Sequence, residues 1–188
     1  MGFVPTSEWQ VYDGTGRRKY LNADERRRCL RSADAQEPVV RALCYLLLFS
    51  GCRVSEALSL THHQIDVPEQ VIWLRTLKRR QLVFRRIPLP PKVIDMLAAL
   101  PPAKDGRIWT VHRTTAWRWI TDIAAAAKIE GPMACCRGMR HSYAMHAAAR
   151  QVPPYALRRF MGHASLQTTL IYVDAVGLEE REFAQRMW

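Results

Sequence analysis

The chain has 188 residues, with 28 lysines and arginines against 17 aspartates and glutamates, a formal charge of +11 and an isoelectric point near 10.0. This length is enough for one domain with a hydrophobic core. The positive charge favours a polyanionic partner, and nucleic acid is the first candidate. The longest apolar run, from Leu43 to Phe49, is far below the roughly 20 residues of a bilayer-spanning helix, so the sequence predicts no membrane span.

Targeting and cofactor signals are missing from the sequence. The first ten residues have neither the basic nor the apolar region of a secretory signal. Five cysteines, an odd number in a chain of this length, predict reduced thiols and a cytoplasmic location. Cys135 and Cys136 are adjacent and lack the spacing of metal ligands, and there is no glycine pattern for binding nucleotides. The sequence therefore predicts neither a metal nor a cofactor.

The first part of the chain predicts an arm followed by two helices. Residues 1–19 have no sustained periodicity and include a basic stretch with glycines, which is typical of a mobile basic arm. Such an arm could contact DNA phosphates or simply be solvated. Asn22 and Glu25 have the spacing of a capping box and predict a helix start. Pro38 is placed as the first residue of a second, strongly apolar helix.

The middle and end of the chain predict a small sheet and further helices. In residues 70–90, β-branched and aromatic residues flank a basic centre, which predicts two strands joined by a turn. Helical patterns return in residues 90–100, 114–129, 139–150 and 153–161. Gly162 is expected to end one helix, and Tyr172 to lie on the next. The predicted fold class is mainly α with a small antiparallel β-sheet.

Two basic sites are candidates for DNA contact. Arg53 follows a glycine at the end of the buried helix, where a charge is unusual, although a surface ion pair with Glu56 would also explain it. Lys78 lies in the predicted turn between the strands, among other cations. Phosphate contact and plain solvation both fit such a turn.

Two further candidate sites follow in the second half of the chain. Arg137, Arg140 and His141 lie near the start of a predicted helix. His163 lies at a corner before the helix that carries Tyr172. Taken singly, His163 fits a structural histidine and Tyr172 fits an interface tyrosine. The order of these residues and the intervals between them favour a functional role over these structural ones.

Three segments, "SGCRVSEALSL", "RGMRHSYA" and "MGHASLQTTLIY", resemble the two arginine motifs and the histidine-to-tyrosine motif of the tyrosine recombinases, the phage integrase family. The resemblance runs from about residue 20 to about residue 175 and keeps the family's order. It implies the catalytic fold of DNA breaking and rejoining enzymes. It also implies a catalytic role for six residues: Arg53, Lys78, Arg137, Arg140, His163 and Tyr172.

The chemistry of these residue types suits phosphodiester cleavage without a metal. Arg53 and Arg140 offer paired planar donors to the non-bridging oxygens of a phosphate. His163 would add another donor. The Tyr172 phenol needs a cationic pocket to reach its phenolate and form a covalent 3′-phosphotyrosine. Lys78 would protonate the departing 5′-hydroxyl.

The sequence departs from the family pattern at two points. Arg137 stands where relatives generally have a histidine, and a guanidinium cannot accept the tyrosine's proton near neutral pH. Only residues 1–19 precede the matched segment, whereas typical relatives carry a separate DNA-binding domain there. We therefore expect a minimal recombinase similar to the fimbrial phase-switch recombinases, or a fragment lacking that domain. Residues 20–188 would form the catalytic domain, with 177–188 as a C-terminal segment that is exchanged between subunits or caps its own core.

The resemblance implies a site-specific recombinase that integrates, excises or inverts DNA. Its expected partners are double-stranded DNA, other copies of the chain in dimers or tetramers on DNA, and in some systems accessory DNA-bending proteins. Two alternatives stay open. One is a nicking and closing enzyme like the type IB topoisomerases, and the other is a DNA-binding regulator of the same fold with impaired catalysis.

Overall fold

A computed structural model of the chain describes residues 10–76 and 83–175, together with Gln185 and Met187. Within these residues the fold is mainly helical with one small antiparallel sheet. The elements in chain order are α1 (Ala23–Asp34), α2 (Pro38–Ser50), α3 (Val54–Leu58), β1 (Ile65–Asp66), β2 (Val71–Arg75), β3 (Phe84–Pro88), α4 (Pro91–Ala98), α5 (Arg113–Ala126), α6 (Cys136–Ala148), α7 (Pro154–Met161) and α8 (Gln167–Asp174). The predicted fold class is confirmed.

The predicted starts of α1 and α2 are both confirmed. The Asn22 side chain accepts a hydrogen bond from the Glu25 backbone at 2.8 Å, and the Glu25 carboxylate accepts one from the Asn22 backbone at 2.7 Å. This capping box satisfies two backbone donors that the first turn would otherwise leave without partners. Pro38 is the first residue of α2, where its missing N–H costs no helical hydrogen bond.

The sheet has the strand order β1-β2-β3, with antiparallel neighbours. The register pairs Ile72 with Ile87 and Leu74 with Arg85, which places these four side chains on the inner face. The sequence pattern predicted β2 and β3 but not β1, because two residues are too short to show an alternation. Arg85 is a charged residue on an otherwise apolar face.

The buried residues form two clusters. The larger cluster surrounds α2 and includes inward side chains from α1, α4, α5 and the sheet. The smaller cluster joins α6, α7 and α8, with Ala144, Leu157, Met161 and Tyr172 among its members. Each cluster removes apolar surface from water, which stabilises the fold by about 25 cal/mol for each Å² buried. Tyr172 is therefore part of the packing that holds α6, α7 and α8 together.

The part of the predicted arm that the structure describes packs against the domain. Tyr12 and Arg18 pair across an antiparallel bridge, and the Asp13 carboxylate accepts hydrogen bonds from the backbone of the intervening turn. Val11 is 4% exposed and belongs to the smaller buried cluster. Residues 10–19 thus form a packed turn rather than a mobile segment.

Two sequence predictions fall outside the described residues. Lys78 lies in segment 77–82, and most of the C-terminal segment 177–188 also lies outside them. The helix predicted near residue 139 begins earlier than expected, at Cys136, with Cys135 as its N-cap. Across 10–76 and 83–175, the helices are all too short or too polar to cross a bilayer.

Candidate active site

Arg140 holds two helix ends together at the centre of the site. Its guanidinium donates to the backbone carbonyl of Gly51, at the end of α2, and to that of Met161 at 2.9 Å, at the end of α7. A cation is favourable there, because the last carbonyls of a helix lack intrahelical partners and carry partial negative charge. Arg140 is 5% exposed, and burial together with the charge of Arg53 lowers its pKa to about 10. It therefore stays charged near neutral pH.

Glycines end both of the helices that Arg140 joins. Gly51 has a φ of +60° and Gly162 a φ of +66°, the left-handed conformation that glycine adopts without strain. A Cβ on Gly51 would lie 2.3 Å from the ring of Tyr143. The turn after Gly51 leads directly to Arg53, and the turn after Gly162 leads to His163. The helix ends thus bring two candidate residues next to Arg140.

Arg53 lies at the N-cap of α3 and pairs with Glu56, the partner that the surface-pair alternative named, but the pair is not on the surface because Glu56 is buried. Its guanidinium is 3.0 Å from a Glu56 carboxylate oxygen, and its backbone N–H donates to the other oxygen at 2.9 Å. Glu56 is fully buried, whereas the Arg53 side chain keeps 18% of its surface exposed. The ion pair does not cover the whole Arg53 side chain, which also lines the cavity described below.

Arg85 completes this network from the sheet. It donates to Glu56 at 2.6 and 3.3 Å, to the Thr76 hydroxyl at 3.0 Å and to the Phe160 carbonyl at 2.8 Å. Burial alone would raise the pKa of Glu56, but the hydrogen bonds and charge of Arg85, with those of Arg53, lower it below its usual range. The carboxylate is therefore ionised and fixes the Arg53 backbone against the sheet.

A cavity of about 660 Å³ opens beside Arg53 and Arg140. It is strongly cationic, and none of the described residues that line it carries a carboxylate. The charged and titratable side chains on its wall are Lys19, Arg53, Arg113, Arg137, Arg140 and His141. Several guanidinium groups around one space offer the paired donors that phosphate groups bind.

His163 and Tyr172 lie behind the cavity wall and pack against each other. Their rings are nearly parallel, at an angle of 12°, with centroids 6.2 Å apart. The Nδ1 atom of His163 lies 2.9 Å from the hydroxyl of Thr169, one turn before Tyr172 on α8. Burial, reinforced by the charges of Arg140 and Arg53, lowers the pKa of His163 to about 3, so the ring is neutral at pH 7.

Tyr172 is fully buried in the free protein. Its hydroxyl lies 2.9 Å from Nδ1 of His141, and the ring has no exposed surface. Burial raises the pKa of Tyr172 to about 12, although the charges of Arg140 and Arg53 favour the phenolate. The phenol is therefore protonated at neutral pH, and Tyr172 is not among the residues that line the cavity.

The structure brings together five of the six residues that the sequence singled out. Arg53, Arg137 and Arg140 line the cavity, and His163 and Tyr172 pack directly behind it. Arg137 is exposed in the first turn of α6, at the cavity wall. The sixth residue lies in the segment outside the described residues.

Sequence analysis assigned no role to two residues of this site. Arg85 anchors Glu56, and the signal was available, because the alternation of β3 places it on the same face as Ile87. His141 touches the Tyr172 hydroxyl. No sequence signal reveals that contact, because it depends on how α6 packs against α8.

The sequence of this chain is similar to those of known proteins. The model of the phage integrase family matches residues 19–177. A tyrosine recombinase of Thermosipho africanus (strain TCF52B) is 28% identical over 149 residues, covering 76% of this chain and 52% of the relative. The tyrosine recombinase XerD of Mycobacterium leprae (strain TN) is 30% identical over 182 residues, covering 84% and 57%. The chain spans little more than half the length of these relatives.

Solved structures share the fold. XerH site-specific recombinase, in a post-cleavage complex with its palindromic difH substrate, superposes with a TM-score of 0.78 at 21% identity, over 88% of this chain and 52% of that one. The catalytic domain of bacteriophage HP1 integrase gives a TM-score of 0.64 at 24% identity, over 82% and 86%. The predicted tyrosine recombinase fold is confirmed, and with the family model matching most of its length, the chain belongs to the phage integrase family.

Proposed function

We propose that this protein is a site-specific DNA recombinase that cuts and rejoins strands through a covalent 3′-phosphotyrosine on Tyr172. One observation carries the proposal. The Tyr172 hydroxyl lies a single hydrogen bond behind the wall of a cavity that is lined by guanidinium groups. A nucleophile, a set of fixed cations and a space for a phosphate are thus combined in one place.

Double-stranded DNA is the proposed substrate. The charge of +11 and the cationic cavity favour a phosphate backbone, and XerH, which shares the fold, was solved in complex with its DNA substrate. Sequence specificity requires contacts with base edges in addition to phosphate contacts. The exposed side chains of α5, with Arg113 and Trp117 on the cavity wall, provide a surface for such contacts.

The proposed roles follow from what each side chain can donate. Arg53 and Arg140 would bind the non-bridging oxygens of the scissile phosphate and stabilise the charge that develops in the transition state. His163 would add a hydrogen bond, and Lys78 would protonate the departing 5′-hydroxyl. The phosphotyrosine retains the energy of the broken bond. A second DNA hydroxyl can therefore displace Tyr172 without a nucleotide cofactor.

The proposed organisation extends beyond the described residues. Residues 20–188 would form the catalytic domain, against which residues 10–19 of the basic N-terminal segment 1–19 pack, with segment 177–188 exchanged between subunits or folded back on its own core. Dimers or tetramers on DNA would pair two sites, with accessory DNA-bending proteins in systems that need them. A cytoplasmic location suits an enzyme that acts on DNA with free thiols, and all five cysteines are unbridged.

Two observations favour a second candidate, a DNA-binding regulator without catalysis. Tyr172 has no exposed surface, and Arg137 occupies the position where relatives generally have a histidine. A buried hydroxyl and a missing base would both suit a protein that binds DNA and does not cut it. The two candidates differ in whether a covalent complex forms.

The test is covalent trapping on DNA. A duplex carrying the recognition site, nicked so that the cleaved end diffuses away, accumulates the covalent complex of a tyrosine recombinase. We expect the wild-type protein to give a denaturation-resistant complex, and Tyr172→Phe to bind the same DNA without forming it. Tyr155→Phe, at an exposed tyrosine of α7, serves as the matched control and should behave as wild type. DNA binding with no covalent complex from the wild-type protein would favour the regulator.

A further inference from the structure

His141 makes the one hydrogen bond that the described residues give to the Tyr172 hydroxyl. The distance from Nδ1 to the hydroxyl oxygen is 2.9 Å, and the two ring centroids are 5.7 Å apart. His141 is 1% exposed and also lines the cationic cavity. Its imidazole therefore lies between the buried phenol and the space for the phosphate.

Two other residues of the site, Arg137 and His163, are less suited than His141 to accept the proton of Tyr172. Arg137 occupies the position where a base would be expected, and a guanidinium has no acceptor for a proton. The Nδ1 atom of His163 is directed to Thr169 at 2.9 Å, while its ring stacks on that of Tyr172. His141 has a ring nitrogen at hydrogen-bond distance from the reacting oxygen, which is the geometry that a general base requires.

The electrostatics of His141 link its basicity to the substrate. Burial, followed by the charges of Arg140, Lys19 and Arg137, lowers the pKa of His141 to about 4. All three cations line the cavity. A phosphate in the cavity would offset their charge and favour the protonated imidazole. His141 would thus be a weak base in the free protein and a stronger one when DNA is bound.

We propose that His141 accepts the proton of Tyr172 as the hydroxyl attacks the scissile phosphate. The Oη–H bond breaks and the proton moves to Nδ1 of His141. The Oη–P bond forms and the P–O5′ bond breaks, and the 5′-oxygen takes its proton from Lys78. In the rejoining step an incoming 5′-hydroxyl gives its proton to Lys78 and attacks phosphorus. The Oη–P bond breaks, and Oη recovers its proton from His141. This inference rests on the proposed recombinase activity and adds a catalytic residue to it.

The first experiment measures single-turnover covalent complex formation by His141→Gln on the nicked duplex. Glutamine retains a hydrogen-bond acceptor but cannot take a proton at neutral pH. We expect the rate to fall by about 10²-fold or more, the usual contribution of a general base, with DNA affinity within a few-fold of wild type. His146→Gln, the same change on the same helix and outside the site, is the matched control. We expect His146→Gln to react at the wild-type rate.

The second experiment separates a base from a packing residue. A fluorinated tyrosine at position 172, whose phenol is more acidic, needs less help to lose its proton. It should restore most of the rate lost in His141→Gln. A substrate with sulfur in place of the 5′-bridging oxygen, which leaves without protonation, should not restore it, because the acid is a different group.

Each outcome of these experiments either supports or overturns the role of His141. Wild-type rates in His141→Gln would overturn the proposal, and so would a loss that is the same for the ordinary and the fluorinated phenol. If His141→Gln fails to bind DNA, His141→Asn is measured in the same way, and failure of both variants to bind would assign His141 a purely structural role. A wild-type protein that forms no covalent complex would instead contradict the recombinase activity itself.

Discussion

At the scale of single residues, the arginines of the site differ in what they contact. Arg140 is buried and bonded to the carbonyls of two helix ends, while Arg85 is buried against a carboxylate. Arg53 has one side on Glu56 and the other on the cavity, and Arg137 is exposed at the cavity wall. We therefore expect substitutions of Arg85 to affect stability and substitutions of Arg53 to affect cleavage.

Arg53→Ala should slow covalent complex formation on the nicked duplex by about 10²- to 10³-fold. Loss of one preorganised charge donor at a transition state typically has this effect. DNA affinity should fall much less, because the remaining cavity cations still bind the backbone. The measurement is single-turnover cleavage beside a binding titration.

Arg27→Ala removes the same charge from the exposed face of α1 and is the matched control. A folded Arg53→Ala protein that cleaves as fast as Arg27→Ala would leave Arg53 with only its structural pair to Glu56.

The sequence predicted which residues lie together at the site better than how they are held. Arg53, Arg140, His163 and Tyr172 were identified from motif order, and they lie together in the fold. The partner of the Tyr172 hydroxyl could not be predicted, because α6 and α8 are joined only by tertiary packing. The burial of Tyr172 was equally hidden, since α8 has no strongly apolar face to signal it.

At the scale of elements, α3 and β3 are joined by a buried ion pair. Glu56 on α3 is fully buried and accepts two hydrogen bonds from Arg85 on β3. Removing one member of such a pair leaves the other charge buried without compensation, which is more costly than losing an exposed pair. The contact holds the Arg53 backbone in place and so connects the sheet to the cavity.

Glu56→Gln should lower the free energy of unfolding by about 3–5 kcal/mol. Glu69→Gln is the matched control, because Glu69 pairs with Arg86 at 2.8 Å on the exposed edge of the same sheet. An exposed pair contributes at most about 1 kcal/mol. Urea unfolding of the two variants makes the comparison, and equal losses would contradict the structural role of the buried pair.

The packing of α6 against α8 predicts a pH dependence of stability. The pKa values of His141 and His163 are lowered to about 4 and about 3 by burial and by nearby arginines. The unfolded chain, with histidine pKa values near 6.5, binds more protons below that pH. Above pH 6.5 these two histidines therefore do not reduce the free energy of unfolding. As the pH falls below 6.5, the free energy of unfolding decreases.

Between pH 6.5 and pH 5 we expect each histidine to lower the free energy of unfolding by about 2 kcal/mol, since one pKa unit corresponds to about 1.4 kcal/mol. Most carboxylates remain ionised in this range. Urea unfolding at a series of pH values measures the slope, and His141→Gln should reduce it by about a third, because burial lowers the pKa of His146 to about 4 as well and that histidine adds to the slope. An unchanged slope in that variant would mean that His141 is protonated in the folded protein.

Local signals account for the elements that were predicted correctly. The capping box at Asn22, the proline at the start of α2 and the glycine at the end of α7 each act within one turn. β1 and the early start of α6 gave no such signal. Two residues cannot show a strand period, and the two cysteines before Arg137 favour no particular boundary.

At the scale of the whole molecule, the fold combines two buried clusters with one cationic cavity. The larger cluster supports the turn that carries Arg53, and the smaller one contains Tyr172. Arg140 connects them through the ends of α2 and α7. Movement of α8 relative to α6 would therefore expose Tyr172 without disturbing the larger cluster.

The C-terminal segment provides a prediction about assembly. After Gly177 the sequence contains four large apolar residues that we expect to dock on a neighbouring subunit: Leu178, Phe183, Met187 and Trp188. Burial of this segment against a second copy would favour association. Deletion of residues 178–188 should leave a folded protein that binds a single DNA site and no longer pairs two sites.

Light scattering of the truncated protein with DNA measures this directly. A tetramer that persists without the segment would exclude it as the assembly element. Global unfolding on truncation would instead assign it to capping its own core.

The central claim is that Tyr172 becomes covalently linked to DNA. The most direct measurement is mass spectrometry of the trapped complex, after nuclease and protease digestion, to locate the residue that carries the nucleotide. We predict a nucleotide attached through a 3′-phosphate to the peptide that contains Tyr172, and absent from Tyr172→Phe. A nucleotide on any other residue, or its persistence in Tyr172→Phe, would contradict the assignment of the nucleophile.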